Sequence, residues 1–174
     1  MDNRRDINSL GKPFAFRLSA MIESRLLTHH EFAPWADALI MRMERPPTWL
    51  IDLTVTPYFM KAAGFPKAFA LSEPCVDGLT WEMSAEDYVA SQYLRFQRRE
   101  ISWATFLLEA GRQTDANGGR NPCEYFYNFL TAYEDVGFTE SLELEQRRII
   151  STDYADVIAS VRETFQDIAK YRAS

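Results

Sequence analysis

The chain has 174 residues, of which 47% are hydrophobic, and this is enough apolar material for the core of one domain. Its formal net charge is −6 and its 19 lysines and arginines are scattered, so we expect no direct binding of nucleic acid, which requires concentrated positive charge. The sequence shows no signal peptide and no apolar run of about 20 residues, so we expect a cytoplasmic protein without a membrane partner.

The polar start of the chain differs from the rest. We expect residues 1–12 to form a flexible tail and residues 13–174 to form a single α-helical domain. Within that domain, apolar side chains recur at helical intervals and predict a first helix from about Pro13 to Leu27.

Local capping signals set the boundaries of the next elements. Thr28 and Glu31 have the spacing of a capping box, which predicts the start of a second helix. Pro34 is expected to kink or restart that helix. A short apolar helix is expected around Trp49, and Gly64 is expected to end the helix that follows it.

The stretch from residue 65 to residue 82 has neither helical nor strand spacing. Pro66, Pro74 and Gly78 interrupt it. We therefore expect an ordered, irregular loop, with a short strand at residues 69–71.

The second half of the chain returns to helical spacing. Polar residues that favour helix N-termini precede each apolar stripe. The expected helix starts are Ser84 with Asp87, Ser102, Asn121 with Pro122, Thr139, and Ser151 or Thr152. Together with the first half, this pattern predicts an all-α protein, a single-domain bundle of about seven to eight helices.

The chemically reactive side chains form no catalytic or metal-binding motif. The only histidines, His29 and His30, are adjacent and would point about 100° apart on a helix, so they are poorly placed to share a metal ion. We therefore expect no metal, no cofactor and no catalytic residue. Asp37 and Asp52 each lie within an apolar stretch, where a half-buried carboxylate would need a partner.

The two cysteines lie far apart in sequence and outside any CxxC pattern. A secreted disulfide scaffold would have more cysteines. We expect Cys75 and Cys123 to be two reduced, half-buried thiols, and their pairing in space stays open.

Two stretches of the sequence contain acidic residues but no basic ones, and both are rich in aromatic residues. Residues 68–94 hold five carboxylates and residues 121–146 hold six, and neither stretch contains lysine or arginine. A surface that combines acidic residues with Trp and Tyr is suited to contact with a cationic protein. The acidic residues could also do no more than keep the protein soluble. The expected partner-binding residues are Glu73, Asp77, Trp81, Glu82, Glu86 and Asp87, followed by Glu134 and Asp135.

Four short segments of the chain form a further pattern. They are LLTHHE (26–31), WADALI (35–40), PPTWLIDL (46–53), and REISW (99–103) followed by Phe106 and Leu107. Together they resemble small helical bacterial proteins of toxin-immunity or uncharacterised type, over about a third of the chain. The resemblance implies a protein that protects its cell by binding a toxin. It carries over no binding residue, because the shared segments consist of core and capping residues.

The acidic stretches and the resemblance lead to one main hypothesis and two alternatives. We expect an immunity protein that neutralises a cationic bacterial toxin, such as a nuclease, by direct protein–protein binding. One alternative is a scaffold subunit that forms homo-oligomers and buries its aromatic side chains between copies. The other is a small enzyme that uses the carboxylate of Asp37 or Asp52.

Overall fold

The computed structural model describes residues 10–172, and all regular structure in that range is helical. It contains nine helices: α1 (Lys12–Glu23), α2 (His29–Ile40), α3 (Thr48–Thr54), α4 (Phe59–Ala70), α5 (Trp81–Gln97), α6 (Trp103–Asn117), α7 (Cys123–Asp135), α8 (Glu140–Asp153) and α9 (Ala155–Ala169). The predicted all-α class is confirmed, and the expected count of seven to eight helices is slightly too low for the described residues. The predicted tail lies outside the described residues except for its last three, and α1 already begins at Lys12.

The described residues form two compact units. The first comprises residues 10–79 and 163–172, and the second comprises residues 80–162. Helix α9 therefore contributes to both units. The expectation of a single domain stays a prediction.

In the first unit, α1 packs against α4, and α3 packs against both α2 and α4. The face of α1 that meets α4 includes the buried Ala15, Phe16 and Ser19, and the first two share a hydrophobic cluster with Ala70 of α4. On the other side of this contact, Ala62 and Ala63 are small enough for the two helix backbones to approach closely. The Ser19 hydroxyl donates a hydrogen bond to the Ala63 carbonyl oxygen over 2.8 Å, which satisfies a polar group that is removed from water.

One predicted boundary in the first unit is correct, and another is wrong in position. The capping box at the start of α2 is present, and the Thr28 backbone N–H donates to the Glu31 carboxylate over 2.8 Å. Helix α2 then continues through Pro34 to Ile40. By contrast, α1 ends at Glu23 and not near Leu27.

The prediction for residues 65–82 is partly wrong. Helix α4 passes through Gly64 and Pro66 and ends at Ala70, so Gly64 is not a helix stop and residues 69–71 form no strand. Pro66 and Ala70 are buried, and the packing of this apolar face offsets the hydrogen bond that the proline cannot make. The irregular connection is consequently shorter and spans residues 71–80.

The second unit has a core of stacked aromatic rings. Helix α6 packs between α5 and α7, and it contributes Trp103 and Phe106, whose ring centroids lie 4.8 Å apart. The buried Trp103 indole donates to the Gln146 side chain over 2.8 Å, and the Gln146 amide donates in turn to the carbonyl oxygen of Phe129. In both units most aromatic side chains are at least partly buried, since only Tyr58, Trp81 and Phe138 are more than 40% exposed among the aromatic side chains of residues 10–172.

The helix starts of the second unit were predicted with mixed success. Ser102 caps α6 as expected, with its hydroxyl accepting from the Thr105 backbone N–H over 3.1 Å, and Thr139 is the N-cap of α8. Helix α5, however, begins at Trp81 with Thr80 as its cap, and Ser84 is buried inside it. The N-cap of α7 is Pro122 rather than Asn121, and α8 continues past Ser151 and Thr152 so that α9 begins only at Ala155.

Candidate functional site

The predicted partner-binding residues fall in both compact units. Glu73 and Asp77 are exposed in the connection that ends the first unit. There the Glu73 carboxylate accepts hydrogen bonds from the backbone N–H and the thiol of Cys75, at 3.2 and 3.3 Å. Both acids thus lie where a partner can reach them, and Cys75 is an exposed free thiol rather than a half-buried one.

Asp87 corrects the predicted set, because the structure places it inside the second unit. Its side chain is on the buried face of α5 and is only 5% exposed. The buried face includes Ser84 and Ser91 at helical spacing, and the Ser91 hydroxyl donates to the Asp87 carbonyl oxygen over 2.7 Å. A carboxylate in this position offers no charge to an approaching protein.

Glu134 and Asp135 are exposed at the C-terminal end of α7. Glu124 lies in the first turn of the same helix, which places it about 15 Å from Glu134 along the helix axis. The acid-rich stretch that was predicted as one feature is therefore divided between the two ends of α7 and the following helix, α8.

The N-terminal end of α5 brings an exposed aromatic side chain next to an exposed acid. The Thr80 hydroxyl accepts from the Met83 backbone N–H over 3.3 Å and fixes the first turn. Trp81, 48% exposed, and the exposed Glu82 follow in that turn. The connection after α6 passes directly beside them, since a Cβ on Gly118 would lie 3.2 Å from Cγ of Glu82. Gly118 has φ of 78°, which a residue with a side chain adopts only at a cost.

Two further acids flank a thiol at the start of α7. The Sγ atom of Cys123 lies 3.3 Å from the Glu124 carboxylate and 3.6 Å from the Asp115 carboxylate at the end of α6. Desolvation, followed by the hydrogen bond to Glu124, raises the pKa of the Cys123 thiol. A hydrogen bond to the backbone, with the thiol as the second cause, lowers the pKa of Glu124. The thiol is thus held in its protonated form, which is a poor nucleophile, and the carboxylate keeps its charge.

Arg120 connects three separate parts of the second unit. Its guanidinium donates to the Glu86 carboxylate over 2.7 Å, to the Asp156 carboxylate over 2.9 Å and to the Asp153 carbonyl oxygen over 2.6 Å. It also lies 5.0 Å from the centroid of the Tyr154 ring. The hydrogen bond to Asp156 is the main cause that raises the pKa of Arg120, and the hydrogen bond to Glu86 is the second. The guanidinium therefore stays charged at every relevant pH. Glu86 is therefore already paired within the protein.

We call the resulting group of carboxylates the acidic end of the second unit. Its members gather around Arg120 and the neighbouring helix termini: Glu82, Glu86, Asp115, Glu124, Asp153 and Asp156. Within residues 10–172, four of them are exposed and make no ion pair: Glu82, Asp115, Glu124 and Asp153. Of these, the Asp153 carboxylate accepts a hydrogen bond from the Tyr125 hydroxyl. Acids in the first turns of α5 and α7 also stabilise those helix dipoles, but Asp115 lies near a C-terminus and gains nothing in this way.

Sequence reasoning missed four of the six members of the acidic end as partner-binding residues, because it proposed only Glu82 and Glu86. Glu124 lies in an acid-rich stretch but was not proposed. Asp115, Asp153 and Asp156 lie outside the two base-free stretches, and only the tertiary fold brings them near Glu86. One signal was available, because Arg120 is the only base between Arg112 and Arg147 and so lies alone in a long acidic region.

A second group of chemically reactive residues lines a cleft of the first unit. Both histidines are there, together with Asp37 and Arg172, around a volume of about 420 Å³. The Nε2 atom of His29 lies 3.0 Å from the Thr54 carbonyl oxygen. Asp37 is exposed rather than half-buried, so the expectation that it needs a partner is wrong.

Glu31 is the acid nearest to the two histidines in sequence, and its role is structural. It is buried at 4% exposure, caps α2, and lies 3.4 Å from the guanidinium of Arg172. This leaves it unable to act with the histidines on a ligand. Among residues 10–172, no group of three or more His, Cys, Asp or Glu side chains is arranged to hold a metal ion.

Of the helices in the described range, none combines the length and apolar character that a bilayer span requires.

Comparisons with known proteins identify no relative of this chain. A scan against protein-family models finds no match, and searches of curated proteins and of solved structures find no similar chain.

Proposed function

We propose that this chain is a binding protein of immunity type, which neutralises a cationic bacterial toxin by direct contact through its acidic end. The observation that supports the proposal most is the position of the exposed Trp81 beside Glu82, with two more exposed carboxylates, Asp115 and Glu124, at the adjoining helix ends. An aromatic anchor beside negative charge that no internal cation neutralises is what a basic protein surface complements.

The two kinds of residue have separate roles in this proposal. Glu82, Asp115 and Glu124 attract a positively charged partner over distances of about a Debye length and so raise the association rate. Trp81 supplies apolar contact area with a polar N–H at its edge, and it slows dissociation. Glu86 contributes little, because Arg120 neutralises it.

The test starts from a partner recovered by affinity capture from the cells that make this protein. Binding kinetics are then measured by surface plasmon resonance at several salt concentrations. We expect Glu82→Lys combined with Asp115→Lys and Glu124→Lys to slow association by about tenfold or more and to flatten its salt dependence. The fold of the variant is checked by circular dichroism.

A matched control makes the same charge change at acids that are not among the predicted contact residues. It combines Glu140→Lys and Glu145→Lys in α8 with Glu163→Lys in α9, three exposed acids that make no ion pair within the described residues. The control variant should associate at nearly the wild-type rate. Equal slowing by both triple variants would show that net charge, and not the acidic end, governs binding.

A second candidate function is that of a scaffold subunit, and exposed apolar residues of the first unit favour it. Met41 is 86% exposed, Val55 73% and Tyr58 62%, and Ile51 lies one helical turn before Val55. Side chains of this kind commonly become buried between subunits. Sedimentation velocity at protein concentrations between about 1 and 100 μM tests this function. A single monomeric species at all concentrations would contradict it.

A further inference from the structure

The second unit has a cleft where α5 ends and α6 begins, and none of its residues belongs to the acidic end. Its volume is about 600 Å³, which is within the range of sites that hold small molecules. Phe96 and Ile101 give it apolar walls, while Gln97, Arg99 and Arg147 bring polar and charged groups to its surface.

The acids that line this cleft already have partners. The two Glu100 oxygens accept from Nε of Arg95 at 3.1 Å and from Nε of Arg98 at 2.9 Å. Glu143 accepts from the Tyr133 hydroxyl over 2.9 Å. The negative charge of the cleft is thus largely compensated from within.

The two arginines that line the cleft are less engaged. Arg147 lies 3.7 Å from Glu143, a long ion pair, and its guanidinium is 5.0 Å from the centroid of the Phe96 ring, which holds it against the wall. For Arg99, neither a hydrogen bond nor an ion pair of the side chain is found within residues 10–172. Arg162 adds positive charge at the rim, because it donates to the Gln97 oxygen over 3.0 Å and leaves the Gln97 amide N–H groups free to donate elsewhere.

The backbone at Arg99 is unusual for an arginine. Its φ is 61°, in the left-handed region, and it follows the C-terminus of α5. The Arg99 and Glu100 N–H groups donate to the carbonyl oxygens of Phe96 and Arg95 at 2.9 and 3.0 Å, the pattern of a helix end at which glycine is the usual residue. An arginine here costs stability, and its side chain makes no hydrogen bond or ion pair within the described residues, so a role toward an external ligand would account for its presence.

We propose that this cleft binds a small organic anion, with a carboxylate or phosphate group held by Arg99 and Arg147. Guanidinium groups bind both kinds of anion through paired N–H donors, and the Gln97 amide supplies a further donor. The organic part of the ligand packs against Phe96 and Ile101. This site would be a second function, independent of the proposed contact with a toxin.

The proposal is tested by isothermal titration calorimetry with phenyl phosphate and with benzoate, and with benzyl alcohol as an uncharged compound of similar shape. We expect saturable binding of at least one anion and none of benzyl alcohol, and the tighter anion identifies the preferred group. Arg99→Gly and Arg147→Gln should each weaken that binding by about tenfold or more. Absence of saturable binding of both anions up to about 10 mM would overturn the proposal.

Two control variants separate the site from general charge effects. Arg148→Gln removes an exposed arginine next to Arg147 that does not line the cleft. Arg25→Gly repeats the arginine-to-glycine change at a left-handed position of the first unit. Both should bind the anion as the wild type does, and a loss equal to that of the cleft variants would contradict the assignment. Arg99→Gly should melt no lower than the wild type, so its loss of binding cannot be ascribed to unfolding.

Discussion

Arg120 binds both oxygens of the Glu86 carboxylate. Its Nη2 atom donates to Oε2 over 2.7 Å, and its own backbone N–H donates to Oε1 over 3.0 Å. The two side chains are 29% and 17% exposed, so this contact is partly shielded from water. It fixes the connection between α6 and α7 against α5, and the same guanidinium reaches Asp156 at the start of α9.

We predict that Arg120→Met lowers the free energy of unfolding by about 1–3 kcal/mol, between the values for exposed and for fully buried ion pairs. The loss arises because Glu86 would remain partly desolvated with only the backbone N–H of residue 120 as its donor. Chemical unfolding in urea measures it. Arg112→Met is the control, since its ion pair with Glu109 is on the surface and should contribute less than about 0.5 kcal/mol.

We predict that the protein loses stability in alkali partly through Tyr125. Desolvation, followed by the 2.5 Å hydrogen bond to Asp153, raises the pKa of Tyr125 above its ordinary value near 10. The unfolded chain therefore releases this proton first, so the contribution is complete below about pH 10 and is lost as the pH rises above it. The melting temperature of the wild type should fall between about pH 9 and 11, and that of Tyr125→Phe should fall less. Identical curves would exclude this role for Tyr125.

We predict that Arg99→Gly raises the free energy of unfolding by about 0.5–1 kcal/mol, because glycine adopts the left-handed conformation without strain. Arg25→Gly should give a smaller gain, since the Arg25 guanidinium lies 4.2 Å from the centroid of the Phe59 ring and that contact would be lost. Thermal and urea unfolding of both variants measure the difference. A destabilised Arg99→Gly would mean that this arginine supports the fold.

We predict that Trp81→Ala acts on dissociation rather than on association. With the captured partner, the dissociation rate should rise by about tenfold or more while the association rate stays within about threefold, because the indole carries no charge to steer the encounter. The reverse pattern is expected of the Glu82, Asp115 and Glu124 triple variant. Phe138→Ala is the control, since Phe138 is a comparably exposed aromatic residue beyond the C-terminal end of α7.

The sequence predicted those parts of the fold that depend on contacts between near neighbours. The capping box of Thr28 and Glu31 and the cap at Ser102 involve atoms three residues apart, so their pattern is visible locally. The end of α4 was missed because burial of Pro66 and Ala70 in the first unit outweighs the breaker signals of Gly64 and Pro66.

The same distinction explains the candidate site. Trp81 and Glu82 were proposed from an acid-rich window of sequence, and both are exposed. Asp87 belongs to the same window, but it lies on the buried face of helix α5. Its direction depends on which face of the helix packs inward, and the acid-rich pattern does not show this. Arg120 contacts Glu86 and Asp156, which lie 34 and 36 residues away in the sequence. A local sequence pattern does not predict which partners come together over such separations.

The environment of Cys123 makes the two thiols of this chain chemically distinct. Alkylating reagents and disulfide exchange consume the thiolate, and the raised pKa of Cys123 leaves little of that form near neutral pH. Cys75 is the exposed thiol. A maleimide dye added briefly near neutral pH would therefore label the first unit at Cys75 faster than it labels the second unit at Cys123.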